Sequence, residues 1–289
     1  MLKPELTNKL QALLDSLKTQ QPLIHCITNP ISINDCANIL LAIGARPIMA
    51  EHPEEVAEIT AVAQGLALNL GNITDARMTS MLTANVTAKA HGLPAVIDLV
   101  GLGCSTLRQN YSKKLLSQAV PTVLKGNITE LRALLGLPVF SGAGIDASQK
   151  ELVNHSNASQ YAALLREKAV QYQTTLLATG PEDLIVNQAG AWLVSNGTAA
   201  LASLTGTGCM LNVLIGATLA AAYAAGAAPS EADIAEAVLL ACLLLEIAGE
   251  QSQPVYRDRG PGSYHVALLD RIHGLTAADL AAAAKVKSL

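Results

Sequence analysis

Thr205-Gly206-Thr207-Gly208-Cys209-Met210-Leu211-Asn212-Val213-Leu214-Ile215-Gly216-Ala217-Thr218-Leu219-Ala220 is the stretch on which the fold turns. Two glycines flank a threonine, and a long apolar run begins directly behind them. Glycine lets a backbone approach a ligand closely and turn successive N–H groups toward it. The first N–H groups of a helix have no internal acceptor, and the macrodipole adds partial positive charge there. The segment therefore predicts an anion hole built from Gly206, Thr207, Gly208 and Cys209, able to hold a phosphoryl group without a cationic side chain. It is not a Walker A loop, because no Gly-Lys-Ser/Thr follows, and not a dinucleotide fingerprint, because the third glycine is missing. Taken alone, the motif also reads as an ordinary glycine-rich turn before a buried helix.

Outward from this stretch, no charged residue occurs between Leu184 and Ser230. A membrane-spanning helix needs roughly 20 predominantly apolar residues, usually with basic flanks. Here the flanks are Asp183 and Glu231, and the next apolar run, Ile234 to Gly249, carries Glu236 and Glu246. Two buried helices of an α/β protein are expected. A membrane-associated or oligomeric binding protein is the competing reading.

The chain has 289 residues, 51% hydrophobic, 15% charged and 3% aromatic, which predicts one α/β domain over 1–289 and excludes disorder. A net charge of −4 does not suit a nucleic-acid binder, and one Trp with one Phe supplies no stacking surface. Five cysteines without a C-x-x-C pair indicate neither a disulfide framework nor a zinc site. The charged N-terminal segment does not read as a signal peptide, so a cytoplasmic protein is expected.

Val-, Ile- and Leu-rich runs alternate with amphipathic segments. Strands are predicted at 46–50, 66–70, 95–100, 122–125, 174–178, 183–187 and 191–195. Helices are predicted at 6–18, 33–43, 53–64, 77–91, 128–135, 160–171, 210–224, 231–251 and 277–286. The strands suit a parallel sheet covered on both faces, with residues 183–195 forming a hairpin at its edge. The fold class is α/β, a single doubly wound, mostly parallel sheet.

In such sheets ligands sit beyond the carboxyl ends of the strands. The junctions there include Asn69-Leu70-Gly71-Asn72, Asp98-Leu99-Val100-Gly101, Lys125-Gly126-Asn127 and Thr179-Gly180. Cys209 opens the apolar helix, where the helix terminus is able to lower its thiol pKa and let it assist proton removal; buried cysteines are mostly inert, so lining the pocket is the first reading. Asp98 ends a strand, and Glu130 completes an N-x-x-E capping box with Asn127. Two acids at neighbouring strand ends are also able to hold Mg²⁺, mostly through water, beside nucleotide phosphates. Lys125 adds positive charge at the same rim. His25 to Pro30 and Arg46 to Ala50 flank an apolar helix and suit a small-molecule pocket, although taken alone Met49 is more often core and His25 more often a satisfied structural histidine. Arg259-Gly260-Pro261-Gly262-Ser263 reads as a rigid loop before a helix.

Together these motifs make the chain resemble the hydroxyethylthiazole kinase family of the ribokinase-like superfamily. The markers are Ile27-Thr28-Asn29, Gly44 to Ala50, Asn69-Leu70-Gly71, Lys125-Gly126-Asn127 with Glu130, Thr179-Gly180, Thr205 to Cys209 and Arg259 to Ser263, in the family's order. The resemblance implies transfer of the ATP γ-phosphate to 4-methyl-5-(2-hydroxyethyl)thiazole with Mg²⁺, by a homotrimer whose active sites lie between subunits. By carry-over, Met49 and Gly206 contact the thiazole alcohol with Asn29 nearby, and Lys125 and Thr179 contact ATP. Asp98 and Glu130 stand on the metal–phosphate side, and Cys209 is the catalytic position. The chain departs from the family in Lys125, where Arg is usual, and in Asp98-Leu99-Val100-Gly101, where Asp-Pro-Val-Gly is usual. Gly103-Cys104-Ser105-Thr106 likewise replaces Gly-Ala-Thr-Pro. Alternatives are a nucleotide-dependent dehydratase of hydrated NAD(P)H and a diverged kinase for a related small alcohol.

Overall fold

A computed structural model describes residues 2–136, 152–224, 226 and 228–289. Its sheet contains β1 (Leu23–Ile27), β2 (Arg46–Ile48), β3 (Gly65–Asn69), β4 (Ala95–Asp98), β5 (Val123–Asn127), β6 (Thr175–Thr179), β7 (Asp183–Val186), β8 (Ala191–Val194) and β9 (Val286–Ser288). The order across the sheet is β2-β1-β3-β4-β5-β6-β7-β8-β9. From β2 to β6 all neighbours are parallel, and β7, β8 and β9 are added antiparallel. The expected doubly wound, mostly parallel sheet is therefore present. The chain runs outward from β1 to β2 and then returns to the other side of β1 with β3, so the switch point lies between β1 and β3, where such folds open a crevice.

Successive strand residues feed two cores. Leu66 and Leu68 face one, with Ile97 and Leu124, and Ala67 faces the other, with Val96 and Val123. The first is covered by α4 (Asp75–Ala90), α5 (Thr106–Gln118), α6 (Ile128–Leu134) and α7 (Ala158–Tyr172). The second is covered by α1 (Pro4–Gln20), α2 (Ile33–Ala42), α8 (Thr207–Tyr223), α9 (Glu231–Arg259), α10 (Pro261–Gly274) and α11 (Ala277–Ala283). The short α3 (Val56–Val62) packs on α4.

α8 explains the charge-free stretch. It lies on β1, β3 and β4 and is enclosed on its other sides by α1, α2 and α9, so Cys209 through Ala222 are all buried. The helix sits unusually close to the sheet because Gly65 and Gly216 meet there: a Cβ on Gly65 would lie 2.8 Å from the Gly216 carbonyl oxygen. Asn212, buried mid-helix, donates to the Leu68 carbonyl at 3.0 Å. Among the described residues no helix is long and apolar enough to cross a membrane.

The structure corrects the sequence reading in several places. The helix predicted over 277–286 ends at Ala283, and Val286–Ser288 forms β9 against β8, so the 183–195 hairpin is not the sheet edge. The hairpin itself is present, closed by Asn187 N–H to the Gly190 carbonyl at 3.0 Å. β1 and α5 were not predicted. α9 continues to Arg259 through Pro254, held by packing against α10 where Tyr256 and Tyr264 stack edge to face at 5.5 Å. The supposed rigid loop at 259–263 is only Gly260, at φ 85°, with Pro261 starting α10.

Candidate functional site

Register builds the site. Asn69 pairs with Asp98 across β3 and β4, Asp98 pairs with Lys125 across β4 and β5, and Asn127 pairs with Thr179 across β5 and β6. Asn69, Asp98 and Lys125 are buried and form one row near the carboxyl ends, and the half-buried Asn127 and Thr179 lie two residues further along β5 and β6.

The centre of the row is a buried ion pair. Lys125 Nζ donates to Asp98 Oδ2 at 2.8 Å, and Asn69 Nδ2 donates to the same oxygen at 3.1 Å. Among the described residues Asp98 Oδ1 is buried with no hydrogen-bond partner. Burial raises the Asp98 pKa above the usual carboxylate range against the pull of Lys125. Burial also works against the charged form of Lys125, but the Asp98 carboxylate outweighs it and keeps the ammonium charged.

The N-terminus of α8 joins this pair. Gly206, at φ 92°, caps the helix, and Met210 N–H is the first to reach back, to the Gly206 carbonyl at 2.9 Å. The amides of Thr207, Gly208 and Cys209 precede that bond. A Cβ on Gly208 would lie 3.5 Å from Lys125 Nζ, so the ammonium stands against the helix end. The residues expected to form an anion hole are therefore brought beside Lys125 and Asp98.

For Cys209, burial decides which way the thiol pKa moves. Its thiol accepts from Asn69 Nδ2 at 3.5 Å and hydrogen-bonds with Ser32, but burial raises its pKa and the Asp98 charge adds to the rise. The helix terminus does not overcome desolvation, so the thiol keeps its proton at neutral pH.

Glu130 is committed to its loop. Its Oε1 accepts from Gly101 N–H and its Oε2 from Asn127 N–H, both at 2.7 Å, completing the predicted capping box. Burial, with Asp98 nearby, raises its pKa to about 7 despite those two amides.

The other end of the row lies at the switch point. Asn29 follows β1, and its amide packs on Gly71: a Cβ there would lie 2.7 Å from Asn29 Nδ2 and 2.7 Å from Asn69 Oδ1. Only glycine fits between the two asparagines. Gly71 N–H donates to Asn69 Oδ1 at 2.8 Å, so the polar row runs on from Asp98 through Asn69 to Asn29. Met49 follows β2 on a segment pinned from two sides. His25 Nε2 bonds the Ala50 carbonyl at 2.9 Å, and Ser80 Oγ donates to the Glu51 carbonyl at 2.7 Å. The buried Arg77 bridges this segment to the β1 loop through the Glu51 carboxylate and the Thr28 carbonyl. His25 also meets Thr60 at 2.8 Å, and burial lowers its pKa, so it is a neutral structural histidine.

Sequence reasoning missed Ser32, Asn69, Arg77 and Arg108 as site-building residues. Arg108 on α5 donates to the Leu70 and Val100 carbonyls, tying the β3 and β4 loops together. Its helix was not predicted, although Ser105, which accepts from Arg108 N–H, is an N-cap signal. Asn69 stood in a noted junction but only its register reveals its partners.

Comparison with known proteins decides the family. The model described as the hydroxyethylthiazole kinase family matches residues 14–278. The chain belongs to the hydroxyethylthiazole kinase family. Within it, hydroxyethylthiazole kinase 2 of Clostridium botulinum (strain 657 / Type Ba4) is 43% identical over 261 residues, covering 90% of this chain and 93% of the relative. The hydroxyethylthiazole kinase of Methanobrevibacter smithii is 31% identical over 280 residues, covering 94% of each. The solved structure of the hydroxyethylthiazole kinase protein from Pyrococcus horikoshii OT3 has a TM-score of 0.81 at 30% identity, covering 98% of this chain and 99% of that one. A ribokinase-like superfamily protein from Enterococcus faecalis V583 shares the fold at a TM-score of 0.57 and 13% identity, over 92% of this chain and 93% of that one. The hydroxyethylthiazole kinase family thus has a ribokinase-like sheet in this chain.

Proposed function

We propose that the chain transfers the γ-phosphoryl group of ATP to the primary hydroxyl of 4-methyl-5-(2-hydroxyethyl)thiazole, a step of thiamin salvage. One observation carries the reading: the Lys125 ammonium and the positive end of α8 meet at the strand ends. Two positive ends held together favour an anion between them. The family match favours phosphotransfer over the dehydratase and the membrane-associated alternatives.

In this reading Asn29, Met49 and Gly206 hold the alcohol at the switch point, and Lys125 and Thr179 hold the nucleotide. The hydroxyl oxygen forms the new bond to phosphorus while the bond to the bridging oxygen breaks, and ADP leaves with that electron pair. Charge on the moving phosphoryl oxygens is met by the amides of Thr207, Gly208 and Cys209 and by Lys125. In a loose transition state the hydroxyl proton departs late, to a phosphoryl oxygen or to water, so no strong base is required. Mg²⁺ fits on one count, the spare buried Asp98 Oδ1; both Glu130 oxygens already serve backbone amides, which leaves Glu130 an approach through water. When bound, the ion neutralises phosphate charge. Exposed Ile31, Leu41 and Val266, near the Asn29 end and on the packed pair α2 and α10, suit burial between copies; the homotrimer and the cytoplasmic location follow from the family resemblance.

The test is ADP release from the purified chain with thiazole, pyrimidine and pyridoxal alcohols. Release that requires the thiazole alcohol, ATP and Mg²⁺ together is expected; no thiazole-dependent release defeats the assignment, and a monomer by light scattering defeats the trimer. Cys209→Ala separates base from wall. A general base contributes about 10²–10⁴-fold, whereas a protonated thiol lining the site predicts a loss of turnover below about tenfold in the same assay.

A further inference from the structure

A buried acid cluster lies outside the row just described. Asp183 is the first residue of β7, Cys242 and Glu246 stand one turn apart on α9, and one side-chain donor atom from each lies within 4.8 Å of the others. Asp183 Oδ1 accepts from Gly180 N–H at 2.9 Å, which closes the turn running from Thr179 to Asp183. Glu246 is 8% exposed, and among the described residues its Oε2 is buried with no hydrogen-bond partner. We propose that Asp183 and Glu246 share one proton, and that this pair positions the Thr179–Gly180 turn for the nucleotide.

Two facing carboxylates in an apolar setting repel unless a proton or a cation lies between them. The charged groups acting on the pair are Glu250 on α9, Lys285 before β9 and Lys125 on β5. Both lysines are engaged elsewhere: Lys285 Nζ bonds Glu250 at 2.9 Å, and Lys125 Nζ bonds Asp98 at 2.8 Å. Cys242, fully buried, brings no charge, since burial drives its thiol pKa well up. A shared proton meets the requirement at the least cost. Burial raises the pKa of both carboxyls, that of Glu246 strongly, which agrees with retention of the proton at neutral pH. Loss of the proton at alkaline pH sets two charges against each other, and Asp183 is drawn off Gly180 N–H. The turn that carries Thr179 then loosens, while the Asn29 and Met49 end, several strands away, is untouched.

The proposal rests on the reading of Thr179 as a nucleotide contact, so its test has one arm that needs no catalysis. Because the folded pKa is raised, the pair's stability contribution is full below the unfolded carboxyl range and is lost as pH rises through the folded value. The melting temperature of the full chain should therefore fall from about pH 6 to about pH 9, and Glu246→Gln, which keeps an N–H donor toward Asp183, should flatten that fall. Identical profiles overturn the shared proton, as does a stoichiometric metal ion in the purified protein. The second arm is kinetic. KM for ATP should rise by about fivefold or more over the same range in the wild type and by clearly less in Glu246→Gln, where only Glu130, common to both, still titrates near the nucleotide, and KM for the alcohol should stay within about twofold in both. Asp183→Asn retains an acceptor for Gly180 and should rescue KM for ATP relative to Asp183→Ala. A KM for ATP that ignores pH while the melting profiles differ overturns the positioning role. Absence of phosphotransfer in every variant at every pH refutes the proposed function instead, with the melting arm still deciding on the pair.

Discussion

Gly206→Val should lower kcat/KM for thiazole phosphorylation by at least about 10³-fold while leaving a folded chain. Two features of the backbone require glycine there. The residue sits at φ 92°, in the left-handed region, and a Cβ would lie 2.9 Å from Ser32 Cβ. Strain of that kind costs of order 1–3 kcal/mol, a fraction of the roughly 5–15 kcal/mol that holds a typical fold. The activity cost is larger because relief of the clash moves either Ser32 or the amino end of α8. Ser32 Oγ donates to the Asn29 carbonyl at 3.1 Å, so its displacement disturbs the alcohol side as well. Removing one preorganised donor typically costs 10²–10³-fold, and here three amides are carried by the displaced turn. Circular dichroism and thermal melting run beside the assay check the claim. A folded variant of wild-type activity would place phosphoryl transfer elsewhere.

Lys125→Met should lose about 3–5 kcal/mol of stability, because it leaves the Asp98 carboxylate buried and uncompensated. Lys125 and Asp98 are 4% and 1% exposed, so solvent offers neither charge a substitute partner. KM for ATP should rise with the same substitution. Stability and function separate in a second variant. Combining Asp98→Asn with Lys125→Met removes the orphaned charge and should recover much of the stability in urea titration, yet leave turnover absent, since the cation proposed to meet the phosphates is still missing. Recovery of turnover in the double variant would reduce the pair to a structural feature. Lys125→Arg should keep the pairing with Asp98 and retain activity, because guanidinium suits both carboxylate and phosphate.

The strand cores were legible because Val, Ile and Leu runs bounded by polar junctions match a sheet buried on both faces. The glycine turn that opens α8 was legible because its signal is local: glycines, then a helix. What escaped depends on partners distant in the chain. Asn69, Asp98 and Lys125 form one row only through register, which no single stretch encodes. β9 was hidden because its three residues follow a helix and acquire strand character from β8. Pro254 argues against a helix that α10 nonetheless supports, a case of packing overriding propensity. For the Cys209 thiol both readings stayed open in the sequence, because a helix terminus is visible there and desolvation is not. Arg77 was passed over because its acceptors are a carboxylate and a carbonyl on two separate loops.

The enclosure of α8 bears on how the protein behaves in different electrolytes. Mobile ions screen a field only where they can gather, over a Debye length of about 10 Å at 0.1 M. Along its flanks this helix is sheathed by hydrocarbon from strands and neighbouring helices, so dissolved salt reaches its dipole only at the tip. Capture of a polyanion by surface lysines fades as buffer strength increases; capture by this buried helix end should persist.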